Sequence, residues 1–220
     1  MTEVRMIFSF PGGPGGSRAA TGAGFPAIAR VRAYWEGLRA ETGQIPLRAD
    51  LDPRGLAQAL DHVFVADRIG TGLLRLRIAG MGLTDLAGLD MKGLPLSCLF
   101  LPEARLKLAQ SAEQVFTMPA VAEVQLEAER GIGRPGLLAR LLLMPLRSGS
   151  GGCDLALGCL ETSGEMGRSP RRFTVLRSTE TRLTIPPISP GPTRDPAPGF
   201  AESPAPPPRA PHLRLVHSVD

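Results

Sequence analysis

The sequence is poor in the residues that build metal and redox sites. Its 220 residues include only three cysteines and three histidines. Cys98, Cys153 and Cys159 form no CxxC motif and are odd in number, which argues against a zinc site and a disulfide framework. Only His62 lies in the region that we predict to fold, so neither a metal centre nor a histidine-based triad is indicated. We expect buried, reduced cysteines and a structural His62, with redox sensing and a ligand contact as the respective alternatives.

Long apolar runs are also missing. No segment approaches the ~18 uninterrupted apolar residues that a membrane helix needs. The N-terminus has an early Glu3 and only "MIFSF" before "PGGPGGS", so it lacks the apolar core of a signal peptide. We therefore predict a cytoplasmic protein with no membrane partner.

The net charge of +4 does not come from the central part of the chain. Residues 27–161 contain fifteen Lys or Arg and fifteen Asp or Glu, so the excess lies in the two ends. A nucleic-acid-binding module would concentrate basic residues on its folded part. The distribution favours soluble, arginine-containing tails and predicts no nucleic-acid partner.

Proline and glycine define the domain organisation. Of the 22 prolines, twelve lie between 170 and 211, and two Pro-Gly clusters lie near the N-terminus. Such segments favour extended, solvated backbone. We predict a disordered leader at 1–26, one folded domain at 27–162, and a Pro-rich, mostly disordered tail at 163–220 that contains the islands "RRFTVL" and "HLRLV".

Two amphipathic helices are predicted inside the domain. The segment "IARVRAYWEGLRAET" places Ile28, Val31, Trp35 and Leu38 on one stripe, and "PEARLKLAQSAEQVFT" forms a second helix after Pro102. In "IPLRADLDPRGLAQALDHVFVADRI", an aspartate followed by proline is typical of a helix start, where the carboxylate accepts from free backbone amides.

Five strands are predicted from alternating or continuous apolar patterns, separated by turn-forming glycines. They span residues 62–68, 73–79, 120–129, 136–146 and 154–161. Helices and strands in this order predict an α+β domain with an antiparallel sheet, one face of which is covered by the helices.

The element order resembles the PAS domain superfamily, and so do the segments "IPLRADLDPRGLAQALDHVFVADRI", "RLRIAGMGLTDLAGLDMKGLPL" and "FLPEARLKLAQSAEQVF". In particular, the chain is similar to a group of small bacterial, stand-alone PAS-type proteins. This resemblance implies a five-stranded antiparallel sheet in the order 2-1-5-4-3, short helices over one face and an N-terminal flanking helix. It also implies a regulatory module, rather than an enzyme, that senses a small molecule or binds a protein partner.

The resemblance leaves the cofactor unknown. Haem-binding relatives often use a histidine on the long helix, and residues 102–118 contain none. Flavin-binding relatives place a reactive cysteine in a polar helix, whereas Cys98 lies in the apolar "LSCLF". We therefore predict neither cofactor.

If a small molecule binds, we expect it between the sheet and the helices, although the same residues also suit a filled core. The pocket candidates are Leu76, Ile78, Met91, Phe100, Leu108, Phe116, Leu142 and Met144. For a protein partner or a homodimer, the candidate surface is the first helix, with Val31, Tyr34, Trp35 and Leu38, because interfaces favour aromatic residues.

Two other hypotheses remain open. The chain could be an adaptor whose Pro-rich tail docks a partner while the domain serves as a dimerisation scaffold. It could also be an enzyme, if two of Asp50, Asp52, Asp61 and Asp67 shared one cleft as general acid and base. We expect these aspartates to cap helices or face solvent, and the glycines of "GTG" and "GMGLTDLAG" to form turns rather than a nucleotide loop.

Overall fold

A computed structural model of the chain describes residues 24–149 and 151–186. Within these residues the α-helices are α1 (Pro26–Thr42), α2 (Met81–Ala87) and α3 (Arg105–Thr117), and the strands are β1 (Val63–Gly70), β2 (Leu73–Ala79), β3 (Ala120–Ala128), β4 (Leu138–Arg147), β5 (Cys153–Ser163) and β6 (Phe173–Arg182). Short 3₁₀ segments occur at Arg48–Asp50, Pro53–His62, Leu96–Leu99 and Pro102–Ala104. The predicted leader up to residue 23 and the tail beyond residue 186, including "HLRLV", lie outside the described residues.

The strands form one antiparallel sheet in the order β2-β1-β5-β4-β3-β6. The α+β class, the five predicted strands and their order 2-1-5-4-3 are confirmed. The 3₁₀ segment Pro53–His62 begins as expected, because the Asp52 carboxylate accepts a hydrogen bond from the Arg54 backbone N–H at 2.9 Å. Short connections account for the antiparallel pairing of the successive strands β1–β2, β3–β4 and β4–β5.

The sheet has a sixth strand that we did not predict. β6 comes from the segment assigned to the tail and pairs with β3 along its whole length. The island "RRFTVL" supplies its anchors, since Phe173 and Val175 are buried in the core. The folded sheet therefore extends beyond residue 162. In the sequence, these two apolar side chains in a proline-rich region are the feature that indicates the sixth strand.

The β1–β2 turn requires glycine at Gly72. Its φ is +65°, a left-handed conformation that other residues rarely adopt, and a Cβ there would lie 2.6 Å from Ala109 on α3. The Gly72 N–H donates to the Glu113 carboxylate at 2.8 Å, and that carboxylate also pairs with Arg68 on β1. The hairpin is thus held directly against α3.

The inner face of the sheet carries the larger of two apolar clusters. Side chains from β1 to β6 meet those of α2, α3 and the 3₁₀ segments there. On this face the ring of Phe64 lies across Gly158, where a Cβ would be 2.0 Å from the ring. Close packing of this kind leaves little room for larger side chains.

The outer face carries the second cluster, covered by α1 and the 3₁₀ segment Pro53–His62. The N-terminus of α1 is held by Glu161 of β5, a buried carboxylate that accepts from the Ile28 N–H at 3.0 Å. A carboxylate at this position satisfies a free backbone donor and complements the helix dipole.

None of the helices between residues 24 and 186 that the structure describes has the length and apolar character needed to cross a bilayer.

Candidate functional site

The structure brings five of the eight predicted pocket residues together. Leu76, Met91, Phe100, Leu108 and Phe116 are all buried in the inner-face cluster. They come from β2, α3 and the loops between them, as the predicted arrangement of helices over one sheet face requires.

The other three predicted pocket residues lie elsewhere. Leu142 and Met144 belong to the outer-face cluster, because alternate residues of β4 point to opposite sides and both faces of this strand are covered. Ile78 is 49% exposed. A bulge shifts the β1–β2 register so that Ile78 pairs with Val65, a residue of the outer-face cluster, and the simple alternation fails at that point.

A cavity of about 250 Å³ lies at one end of the inner-face cluster, between the β1–β2 turn, the segment Leu96–Leu99 and α3. Its wall is formed mainly by leucines and small residues, and Leu108 is the predicted pocket residue that contributes to it. The lining residues are Gly72, Leu73, Leu74, Leu96, Ser97, Arg105, Leu108, Ala109 and Ala112. We call this space the inner-face cavity.

Two polar side chains line the inner-face cavity. Ser97 contributes a hydroxyl group, and Arg105 is the one charged residue among the described residues of the wall. The Arg105 Nε donates a long hydrogen bond of 3.4 Å to the Phe100 carbonyl, and the guanidinium has no ion-pair partner within the described chain. An apolar cavity with one unpaired cation suits a ligand that has an apolar body and an anionic end.

Sequence reasoning missed most of the cavity wall. The sequence feature that could have indicated the cavity was the combination of Gly72 in a hairpin turn with the small residues Ala109 and Ala112 on α3. Small side chains on the inner face of a helix leave space that leucines at the same positions would fill.

The stripe predicted to face a partner packs against the protein's own sheet. Val31 and Trp35 are fully buried in the outer-face cluster, and the Trp35 Nε1 donates to the Pro145 carbonyl at 3.0 Å. Tyr34 accepts a hydrogen bond from the Asp52 N–H at 2.7 Å, and Leu38 is half-buried. A stripe of apolar residues at helical spacing serves intramolecular and intermolecular packing equally well, so the pattern alone did not distinguish them.

Residues 25–161 match the family model of the PAS domain. The chain belongs to the PAS domain family. PAS domains are generally sensory or signalling modules, and they often bind small ligands and dimerise. No curated protein sequence matches the chain at a significant level.

Several solved structures share part of this PAS fold at low identity. A light-oxygen-voltage domain studied with a flavin analogue has 21% identity and a TM-score of 0.40, over 51% of this chain and 84% of that one. The light state of the blue-light photoreceptor Aureochrome1 LOV has 18% identity and a TM-score of 0.37, over 51% and 88%. An RNA-binding light-oxygen-voltage receptor has 18% identity and a TM-score of 0.36, over 53% and 35%.

The inner-face cavity of this PAS domain is small. Its volume of about 250 Å³ lies below the ~300–1,000 Å³ that is usual for pockets holding drug-sized molecules. Cys98 is exposed and is not one of the lining residues, and α3 carries no histidine that could bind haem iron. The residues present therefore favour a smaller ligand.

The cysteines of the PAS domain differ from one another in environment. Burial and then the charge of Asp154 raise the pKa of Cys153 to about 11, and burial and then Glu161 raise that of Cys159 to about 12. Both thiols stay protonated near neutral pH. Cys98 was expected to be buried but is exposed, because the short 3₁₀ turn buries Leu96 and Leu99 and leaves Cys98 facing outward.

Three of the four candidate acids have structural roles. Asp50 accepts from the Leu47 N–H at 2.8 Å, Asp52 caps a 3₁₀ segment, and Asp61 is exposed. Asp67 forms ion pairs of 2.8 Å with both Arg75 and Arg77. Burial raises the pKa of Asp67, but the hydrogen bonds from the two arginines outweigh it, so the pKa lies below the usual value. In the described residues, no group of three His, Cys, Asp or Glu is placed to bind a metal ion.

Sequence reasoning also missed Arg171, a fully buried arginine. Its guanidinium donates to the carbonyls of Met166, Glu129 (3.1 Å) and Pro135 (2.7 Å). Burial lowers the pKa of Arg171 from its ordinary value, with a smaller contribution from the charge of Arg134. The side chain ties the connection between β5 and β6 to the region between β3 and β4.

Proposed function

We propose that this PAS domain is a sensory or regulatory module in signal transduction. Its signal is a small amphipathic anion, with an apolar body in the inner-face cavity and its charged end at Arg105. The module transmits its ligand state by binding a protein partner or a second copy of itself. The observation that carries the proposal is a leucine-lined cavity with one unpaired guanidinium at its wall.

The position of the cavity supports a sensing role. A ligand there would contact the start of β2, the segment Leu96–Leu99 and α3 simultaneously. Because these elements come from distant parts of the chain, a bound molecule stabilises their mutual packing. Binding to the folded state alone raises stability by mass action, by about 2.7 kcal/mol when the ligand concentration is 100 times Kd.

We further propose that the module performs no catalysis, since Asp50, Asp52 and Asp67 have structural roles and Cys153 and Cys159 stay protonated. A cytoplasmic location, a bacterial source and the absence of a nucleic-acid partner remain predictions of the sequence.

Thermal unfolding with matched ligands tests the proposal. Hexanoate, cyclohexanecarboxylate and benzoate should raise Tm by several degrees at saturation, whereas their primary amides should not. An Arg105→Gln variant should lose most of the carboxylate effect, because the charged partner is gone. An Arg172→Gln variant, which changes an exposed arginine outside the cavity, should keep it.

Filling the cavity gives a second test. An Ala112→Leu variant should lose the response to all three carboxylates, and Ala29→Leu on the exposed side of α1 should retain it. A response of the unaltered chain that is equal for carboxylates and amides would contradict the role of Arg105. A full response in Ala112→Leu would contradict the site itself.

A further inference from the structure

The outer face of the PAS domain carries a second concave surface, unrelated to the inner-face cavity. It lies between α1 and the 3₁₀ segment Pro53–His62 and has a volume of about 560 Å³. Its described lining residues are Arg30, Ala33, Tyr34, Arg54, Gly55, Leu56, Ala57, Gln58 and Ala59, and we call the buried Leu56 and Ala59 its floor. We call this surface the outer groove.

The walls of the outer groove are held in place by the packing of its two helical elements. The Tyr34 hydroxyl accepts from the Asp52 N–H at 2.7 Å and donates to the Asp52 carbonyl at 3.3 Å. The Tyr34 ring covers Gly55, where a Cβ would lie 2.4 Å from the ring. The groove is thus formed in the isolated domain, so a partner need not create it.

The arginines of the outer groove lack acidic partners. Neither Arg30 nor Arg54 forms an ion pair with any described residue, although the nearby Arg32 pairs with Glu123 and Arg39 pairs with Glu36. Among the residues that the structure describes, none with a carboxylate side chain lines the groove. The charged side chains of its described lining are therefore both positive, and the nearest carboxylate that bonds to a lining residue is that of Asp52, which accepts from the Arg54 backbone N–H at 2.9 Å.

We propose that the outer groove binds an acidic peptide segment of a partner protein, with glutamate or aspartate side chains at Arg30 and Arg54 and small apolar side chains on the floor. This inference deepens the proposed action through a protein partner by naming that partner's chemistry, and it does not depend on the cavity ligand. A concave surface between two helical elements suits a peptide, because helix-in-groove binding combines an apolar floor with charged sides.

The number of charges favours a peptide over nucleic acid. Proteins that hold nucleic acid through its backbone typically neutralise several phosphates, whereas this groove offers two cations. Two arginines beside this apolar floor match a short segment with two acidic side chains. Pairs at the rim of such an interface act mainly on specificity and association rate.

Fluorescence polarisation with defined probes tests the inference. The probe is a labelled amphipathic peptide of about 15 residues, long enough for a few helical turns, with glutamates along one side and alanine and leucine along the other. Its control carries glutamine at every glutamate position. We expect the full chain to bind the glutamate peptide at least about tenfold more tightly than the glutamine peptide.

Charge reversal locates the binding site. An Arg30→Glu/Arg54→Glu variant should weaken the glutamate peptide by about tenfold or more, and should gain binding of a peptide with lysine in place of glutamate. An Arg168→Glu/Arg172→Glu variant makes the same charge change on exposed residues outside the groove and should stay within about twofold of the unaltered chain. If the first variant does not fold, Arg30→Gln/Arg54→Gln serves with amide NMR shifts at Ala33, Gly55 and Ala57.

Three results would overturn the inference: no binding of the glutamate peptide by the unaltered chain, equal weakening by both double variants, or tighter binding of a single-stranded RNA of equal charge that Arg30→Glu/Arg54→Glu abolishes. The carboxylate-induced change in Tm is measured in the same variants. If that change persists while peptide binding is absent, the groove inference fails and the cavity proposal stands.

Discussion

At position 158, a side chain on the neighbouring strand determines which residue can be accommodated. Gly158 faces Phe64 on that strand, and the phenylalanine ring occupies the space that any Cβ would take. We expect Gly158→Ala to lower the free energy of unfolding by about 1–3 kcal/mol, the usual cost of overpacking a core. Urea unfolding with an unchanged m-value measures it.

Gly37 provides the matched control. It lies on the exposed side of α1, and a Cβ there meets nothing within 4 Å. Gly37→Ala should therefore raise the free energy of unfolding by about 0.5–1 kcal/mol, because alanine restricts the unfolded chain. Equal effects of the two substitutions would contradict the packing that we describe.

The ion pairs of Asp67 predict a pH dependence. Since the folded-state pKa lies below the unfolded value of about 3.9, the stabilisation is present above that value and is lost as pH falls through the folded pKa. Asp67→Asn should lower the free energy of unfolding near neutral pH, and its difference from the unaltered chain should vanish in strong acid. Asp85→Asn, at an exposed position on α2, is the matched substitution outside these ion pairs.

At the scale of elements, β6 is part of the fold rather than an appendage. It supplies the buried Phe173, whose ring lies 6.4 Å from that of Phe100, and it follows the buried Arg171. A chain that ends at residue 162 should lose several kcal/mol of stability. It lacks Phe173, whose place in the core is left empty, and it lacks Arg171, which donates hydrogen bonds to the carbonyls of Glu129 and Pro135.

A chain that ends at residue 186 is the control, because it keeps β6, and it should unfold at a higher temperature than the chain that ends at residue 162. Differential scanning calorimetry of the two truncated chains makes the comparison. Equal Tm values would show that the sheet is complete without its sixth strand.

At the scale of the whole molecule, the sequence patterns identified the strands and helices better than they identified the face of the sheet on which each side chain lies. The five strands, their antiparallel order and the cap at Asp52 follow from alternation, turn residues and the PAS resemblance. The face of Ile78 depends on a single-residue bulge, and those of Leu142 and Met144 depend on a strand covered on both sides. Alternation cannot show which covered face holds a cavity.

Tertiary partners explain the other differences. The apolar pattern of α1 does not indicate whether the helix packs against its own sheet or against another chain. Arg171 could be recognised as buried only with the carbonyls that surround it. The outer groove arises from two helical elements whose contact depends on Tyr34 and Gly55, which are far apart in sequence.

The two borders of the sheet have a consequence for self-assembly. At β2, the Leu76 N–H donates a hydrogen bond to the Leu94 carbonyl at 2.9 Å, and the Leu76 carbonyl accepts one from the Gly93 N–H at 2.7 Å. A loop of the protein therefore covers this part of the border. At β6, the border carries exposed Arg177, Thr179 and Arg182, whose solvated and charged side chains oppose pairing with another strand. Templated strand addition, the step by which ordered fibrils grow, is thus disfavoured at both borders of the sheet.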